Sequence, residues 1–192
     1  MVCEYARQLA RLHGADVEKV TTAALLHDCA KCLPPEKMRS YGAGADPDIL
    51  SNGNLLHGPA GAGMARQDFG ITDETVLNAI ACHTTGRAEM NTEDLIVYIA
   101  DKIERSRKPY PALENLRKLA DTDLKLAVME SMRSTVEYVR KNGDKPLHPQ
   151  TLLSYQWLCD EVNKSPDNGK EPEHNEGFEH PGSDDPDRPD SL

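Results

Sequence analysis

Histidines and acids set at the ends of apolar runs do most to restrict how this chain can fold. AALLHDCAK brings His27 and Asp28 in behind Ala23, Ala24, Leu25 and Leu26, and LIVYIADKIE ends an apolar stretch on Asp101. A carboxylate at the end of a buried helix is expensive to desolvate unless something positive lies beside it. A pair of metal ions is the simplest such partner, and sharing it obliges the segments to meet. LLHGPAGAG adds His57 and AIACHTTGR adds His83. Imidazole suits iron, zinc or manganese, and a carboxylate can bridge two ions. Singly, each signal is weak, because a lone imidazole in a loop is more often solvated and a His-Asp pair more often lies at a surface.

The apolar spacing is helical from end to end and no convincing run alternates, so the expected fold is all-α. Val2 to Leu12 reads as a helix stopped at Gly14, and Asp16 caps a second helix that carries His27 and Asp28. Pro34 and Pro35 end that segment and start a short helix, and residues 42–54 read as a polar connection. Pro59 suits the first turn of the next helix. Thr72 is expected to cap the helix leading to His83, with Asp73 and Glu74 in its first turn. Asn91 or Thr92 opens the helix that delivers Asp101. One or two long helices fill 112–141, closed by Gly143, and a last one runs from Pro149 to about Asn163. The expected domain is 1–163, followed by a disordered, acidic, proline-rich tail at 164–192.

Hydrophobic residues make up 38% of the 192 and aromatics only 5%, so the core must be aliphatic. No apolar run reaches a membrane span and no leader is visible, which points to a cytoplasmic protein without a membrane partner. Five cysteines (Cys3, Cys29, Cys32, Cys82, Cys159) read as reduced thiols, with Cys29 and Cys32 as packing residues. Of the net charge of −10, residues 165–192 carry −7, from nine acids against Lys170 and Arg188. No basic stripe is left to neutralise phosphates along a strand, so nucleic acid is not an expected partner.

AALLHDCAK, LLHGPAGAG, AIACHTTGR and IVYIADKIE in this order resemble the HD-domain metal-dependent phosphohydrolases. Within them they resemble the YqeK-type branch of symmetrical bis(5'-nucleosyl)-tetraphosphatases, over about Tyr5 to Glu161. The resemblance implies an HD-type helical bundle that cleaves diadenosine tetraphosphate to two ADP. It also implies two divalent metals: iron by association with similar proteins, although the residue types equally allow manganese or zinc. The ligands it implies are His27, Asp28, His57, His83 and Asp101. Asp28 bridges, His27 and Asp101 complete one shell, and His57 and His83 the other. Two metals about 3.5–4 Å apart acidify a shared water and clamp the phosphate.

Lys31, one turn beyond His27 and Asp28, is a phosphate clamp or an ordinary lysine–aspartate pair. Arg87 could grip phosphate bidentately, and Thr84, Thr85 and Gly86 offer hydroxyls and a tight turn. Gly58, Gly61 and Gly63 allow either backbone approach to a nucleotide or close helix packing. Arg107 is a further candidate for the distal phosphates. His13 reads as an exposed residue near a helix end, and His148 as a cap or packing residue. Dinuclear relatives carry one more histidine on the first helix, ahead of the position of Val2. The expectation is a chain with an incomplete first helix and impaired turnover. A non-catalytic nucleotide-binding or regulatory protein, or another nucleotide phosphohydrolase on the same scaffold, are the rival readings. A homodimer through the long C-terminal helices is compatible with the pattern.

Overall fold

The computed structural model describes residues 2–142 and 147–164. Among them stand ten helices and no strand: α1 (Val2–Leu12), α2 (Val17–Leu26), α3 (Pro35–Tyr41), α4 (Pro47–Leu50), α5 (Gly53–Asp68), α6 (Glu74–Cys82), α7 (Thr92–Ile103), α8 (Leu113–Thr122), α9 (Leu124–Asn142) and α10 (Pro149–Lys164). The all-α expectation holds. Gly143 and the tail from Ser165 lie outside the described residues.

LIVYIA is apolar at six successive positions, so no face of that helix is left for water, and such a helix belongs inside. Every residue of α7 from Asp94 to Asp101 is buried, and so is Ile103. Around it pack α1, α2, α6, α8 and α9. Its start is fixed by a reciprocal cap: the Asn91 side chain accepts from the Asp94 amide, and the Asp94 carboxylate accepts from the Asn91 amide. A second, smaller core of Ala30, Met38, Ile49, Leu56 and Ala60 lies under α3, α4 and α5.

Several local expectations are corrected. Asp73, not Thr72, caps α6, its carboxylate accepting from the Thr75 and Val76 amides. The connection 42–54 contains α4, with Pro47 at its first position and Asp46 as cap. Asn52 then caps α5 from Gly53 onward, so Pro59 lies inside that helix and not in its first turn. Pro59 has no N–H for the Leu55 carbonyl, and the Thr84 hydroxyl donates to that carbonyl at 3.4 Å. His13 is half-buried, its ring Nε2 lying 2.7 Å from the Ala120 carbonyl.

Gly58 and Gly63 of α5 lie at close helix contacts. A Cβ on Gly58 would stand 2.6 Å from the Ala81 carbonyl oxygen, and one on Gly63 only 2.1 Å from that of Tyr41. Those two positions let α6 and α3 press against the α5 backbone, which fixes where His57 lies relative to His83.

Candidate metal centre

Two of the three histidines stand where a helix ends. α2 stops at Leu26 and α6 at Cys82, leaving His27 and His83 as their C-terminal caps. The His-Asp run was expected within the helix. It instead continues as successive tight turns, with amide bonds from Cys29 to Leu26, Lys31 to Asp28 and Leu33 to Ala30. A helix end leaves carbonyls without amide partners, and the rings use them. Nδ1 of His27 lies 2.8 Å from the Ala24 carbonyl, and Nδ1 of His83 lies 2.7 Å from that of Ile80. A ring whose Nδ1–H donates to a carbonyl presents its Nε2 lone pair, the form that binds a metal.

Those nitrogens meet one carboxylate. Asp28 Oδ1 lies 3.2 Å from His57 Nε2 and 3.6 Å from His83 Nε2. Asp28 Oδ2 lies 3.6 Å from His27 Nε2, which is 3.7 Å from Asp101 Oδ1. The Nε2 atoms of His57 and His83 stand 3.1 Å apart. His27, His57, His83 and Asp101 are all buried, yet His27 Nε2 and Asp28 Oδ1 make no hydrogen bond. Buried polar atoms without partners call for an explanation. Two imidazole Nε2 atoms close to one carboxylate oxygen, with a second imidazole–carboxylate pair behind it, fit divalent metal.

The charges agree with that arrangement. Burial works to raise the Asp28 carboxyl, but His57, His83, Lys31 and His27 outweigh it and hold the group far below the usual carboxylate range. Asp101 is likewise raised by burial and, on balance, lowered strongly by His27, Lys102 and Arg107. Burial lowers the His83 pKa. At His27 burial lowers it too, but Asp101, the Ala24 carbonyl and Asp28 give a net rise.

The other expected residues divide into two groups. Lys31 stands on the rim, its Nζ 2.7 Å from Asp28 Oδ2, with over half of its side chain in solvent. Arg107 straddles Asp101, Nε donating to its carbonyl at 2.7 Å and a terminal nitrogen to Oδ1 at 2.8 Å. Each therefore lies against one of the two carboxylates of the cluster. Arg87 was expected to grip phosphate, but its guanidinium is committed to the fully buried Asp94 carboxylate, Nε donating at 2.9 Å. Gly86 forms the expected tight turn at φ +67°. Met132 and Ser154 fill the space where its side chain would stand. The buried Thr85 donates to the Gly86 carbonyl. The HTTGR segment therefore ties α6 to α7, α9 and α10.

The HD-domain family model matches residues 1–106, a stretch that holds all five metal-ligand candidates. The chain belongs to the HD-domain family. It is 39% identical to the symmetrical bis(5'-nucleosyl)-tetraphosphatase of Bacillus subtilis, over 82% of this chain and 85% of that one. To the protein of the same name from Halalkalibacterium halodurans it is 41% identical, over 82% of this chain and 84% of that one. A crystal structure from Clostridium acetobutylicum, described as a predicted HD superfamily hydrolase involved in NAD metabolism, superposes with a TM-score of 0.78. It is 40% identical and covers 83% of this chain and 86% of its own.

Two features of this HD-domain protein escape sequence reading. Lys102 pairs with Asp101 at 2.7 Å, although helical spacing rules do not bring adjacent residues together. A second grouping of Asp46, Asp48 and His148 also has metal-ligand types within reach of one another. There the His148 Nδ1 accepts from the Gln150 amide, so the neutral ring carries its proton on Nε2, facing Asp46. That tautomer caps α10, as the sequence suggested for His148, and is not a ligand form.

Proposed function

We infer that this chain is a metal-dependent symmetrical bis(5'-nucleosyl)-tetraphosphatase that hydrolyses diadenosine tetraphosphate to two ADP. The observation that carries the reading is Asp28 set between His27 on one side and His57 with His83 on the other, with Asp28 Oδ1 and His27 Nε2 buried and without hydrogen bonds. The named relatives supply the substrate.

Two divalent ions would be held by this donor set, one by His27 and Asp101 and one by His57 and His83, with Asp28 available to both. Iron is the proposed occupant. Metal bound there would acidify water and take up charge from phosphate oxygens. The chain's own groups do the rest. The Ala24 and Ile80 carbonyls hold two rings in the tautomer that leaves Nε2 unprotonated. Asp28 and Asp101 stay ionised because the histidines around them, with Lys31 at Asp28 and Lys102 and Arg107 at Asp101, outweigh burial. Lys31 and Arg107, partly in solvent at the two ends of the cluster, offer positive charge to phosphate oxygens. Among the described residues no helix is long and apolar enough to cross a membrane. The cytoplasm is the proposed location, and a dinucleoside polyphosphate, rather than a nucleic acid, the proposed partner.

Anaerobic incubation with ferrous iron and diadenosine tetraphosphate, followed by separation of the nucleotides, tests the reading. ADP as the sole product is expected. ATP with AMP would place the cut elsewhere, and no turnover would leave a binding protein.

A further inference from the structure

We propose that Cys29 and Cys32 are a modification site, which hydrogen peroxide closes into a reversible disulfide that loosens the hold on metal at Asp28. The disulfide is independent of the hydrolase reading, and its effect rests on the metal centre alone.

Turn geometry brings the two cysteines together. From Leu26 to Leu33 the amide bonds reach three residues back, Cys29 to Leu26, Lys31 to Asp28 and Leu33 to Ala30. In turns of that kind side chains three apart eclipse one another. Asp28 and Lys31 do so, with Nζ 2.7 Å from Oδ2, and Cys29 and Cys32 are the next such pair along. Three residues of such a turn rise about 6 Å, inside the Cα separation of about 4.4–6.8 Å that a disulfide spans. All five cysteines lie among the described residues, and Cys32 is the exposed one. The packing role expected of both therefore holds for Cys29 alone, whose half-buried thiol donates to the Gly61 carbonyl at 3.6 Å. An accessible thiol beside a second, resolving thiol is the arrangement of redox-sensing pairs. In the cytoplasm, the location proposed above, such bridges are transient, which suits a sensor and not a scaffold.

The Cys32 sulfur takes one peroxide oxygen, giving a sulfenic acid, and the other oxygen leaves as water. The Cys29 sulfur then attacks the Cys32 sulfur, the S–S bond forms, and the sulfenic oxygen leaves as a second water. Two thiols lose two hydrogens and two electrons, and one peroxide is reduced to two waters. Closure turns the Cys29 sulfur away from Gly61, and so from α5, the helix that carries His57. It also draws the two Cβ atoms to about 3.8 Å, from the about 5–6 Å usual for side chains three apart on a helix. The turn must tighten, and Asp28, with Oδ1 3.2 Å from His57 Nε2, is part of it.

The test uses the metal-free full chain, as wild type and as Cys32→Ser, treated with hydrogen peroxide. In one portion the remaining thiols are capped with iodoacetamide and the chain is digested with trypsin without reductant. Trypsin cuts after Lys31, between the two cysteines, so peptides 20–31 and 32–37 separate unless the disulfide joins them. The expected wild-type product is the joined pair, lighter than its reduced halves by two hydrogens and parted by dithiothreitol. The other portion is titrated with manganese by calorimetry, with circular dichroism to show that the helices persist. Oxidation is expected to weaken manganese binding about 10-fold in the wild type, the scale of disturbing a ligand's support. Reduction and desalting should restore it, and Cys32→Ser should not respond to peroxide. Separate peptides from oxidised wild type would overturn the disulfide. Joined peptides with unchanged manganese affinity, or an equal loss of affinity in Cys32→Ser, would overturn its effect on the centre.

Discussion

At the scale of single residues, Asp28 determines whether the centre exists. Its two oxygens face different imidazoles, Oδ1 toward His57 and His83, Oδ2 toward His27. Asp28→Asn keeps the shape but replaces an anion by an amide, which cannot serve two cations. The expected outcome is loss of metal, measured by elemental analysis after dialysis. Activity should fall by about 10²–10³-fold or more, the scale of removing a preorganised electrostatic group. The helical circular dichroism should survive, because a third of the Asp28 side chain is already in solvent. A variant that still holds two equivalents of metal would remove Asp28 from its bridging place. Lys31 separates two roles in the same way: if its pairing with Asp28 were only a surface contact, Lys31→Ala would leave KM untouched.

At the scale of elements, α5 owes its position to absent side chains. Alanine is a better helix former than glycine by about 1 kcal/mol, so propensity alone favours Gly63→Ala. Sterics oppose it, because the new Cβ would lie 2.1 Å from the Tyr41 carbonyl oxygen, a backbone atom that cannot rotate aside. Overpacking of that kind costs about 1–3 kcal/mol or more and should win. Gly53, whose Cβ would meet only the Met38 methyl at 3.8 Å, is the control. Chemical denaturation should show Gly63→Ala destabilised and Gly53→Ala unchanged or slightly stabilised. Equal effects would mean that α3 is free to move away from α5. These contacts also explain what the sequence could and could not disclose. The apolar run of α7 and the caps at Asp16 and Asn91 carry local signals and stand where spacing puts them, and the ligand candidates His27, Asp28, His57, His83 and Asp101 lie close to one another. The interior place of Pro59 depends on Thr84, 25 positions on, supplying the donor that proline lacks. The partner of Arg87 depends on Asp94 being buried by neighbours of α7. Neither is written in a local pattern, so Pro59 read as a helix start and Arg87 as a phosphate grip.

At the scale of the whole molecule, the centre fastens together four separate parts of the chain: the end of α2, the middle of α5, the end of α6 and the end of α7. Metal that binds these side chains only when they converge stabilises the fold by about 2.7 kcal/mol at a free concentration one hundred times its dissociation constant. That gain must depend on pH, because metal and proton compete for the same nitrogens. In the metal-free protein the two shifted histidines oppose each other. The folded pKa of His27 is raised above 6.5, so its contribution is fully present below 6.5 and lost as pH rises through the folded value. That of His83 is lowered, so its contribution is present above 6.5 and lost as pH falls through the folded value. The two windows lie on opposite sides of 6.5, so the metal-free melting temperature should be highest near pH 6.5 and fall on either side. Once metal holds His27 as the neutral ring, only loading at low pH has a proton to displace, so loading is worth more as pH rises. Melting temperatures with manganese and with chelator, taken at pH 6 and pH 8, should therefore separate further at pH 8. A gap that narrows toward pH 8 would mean that the metal does not bind through these imidazoles.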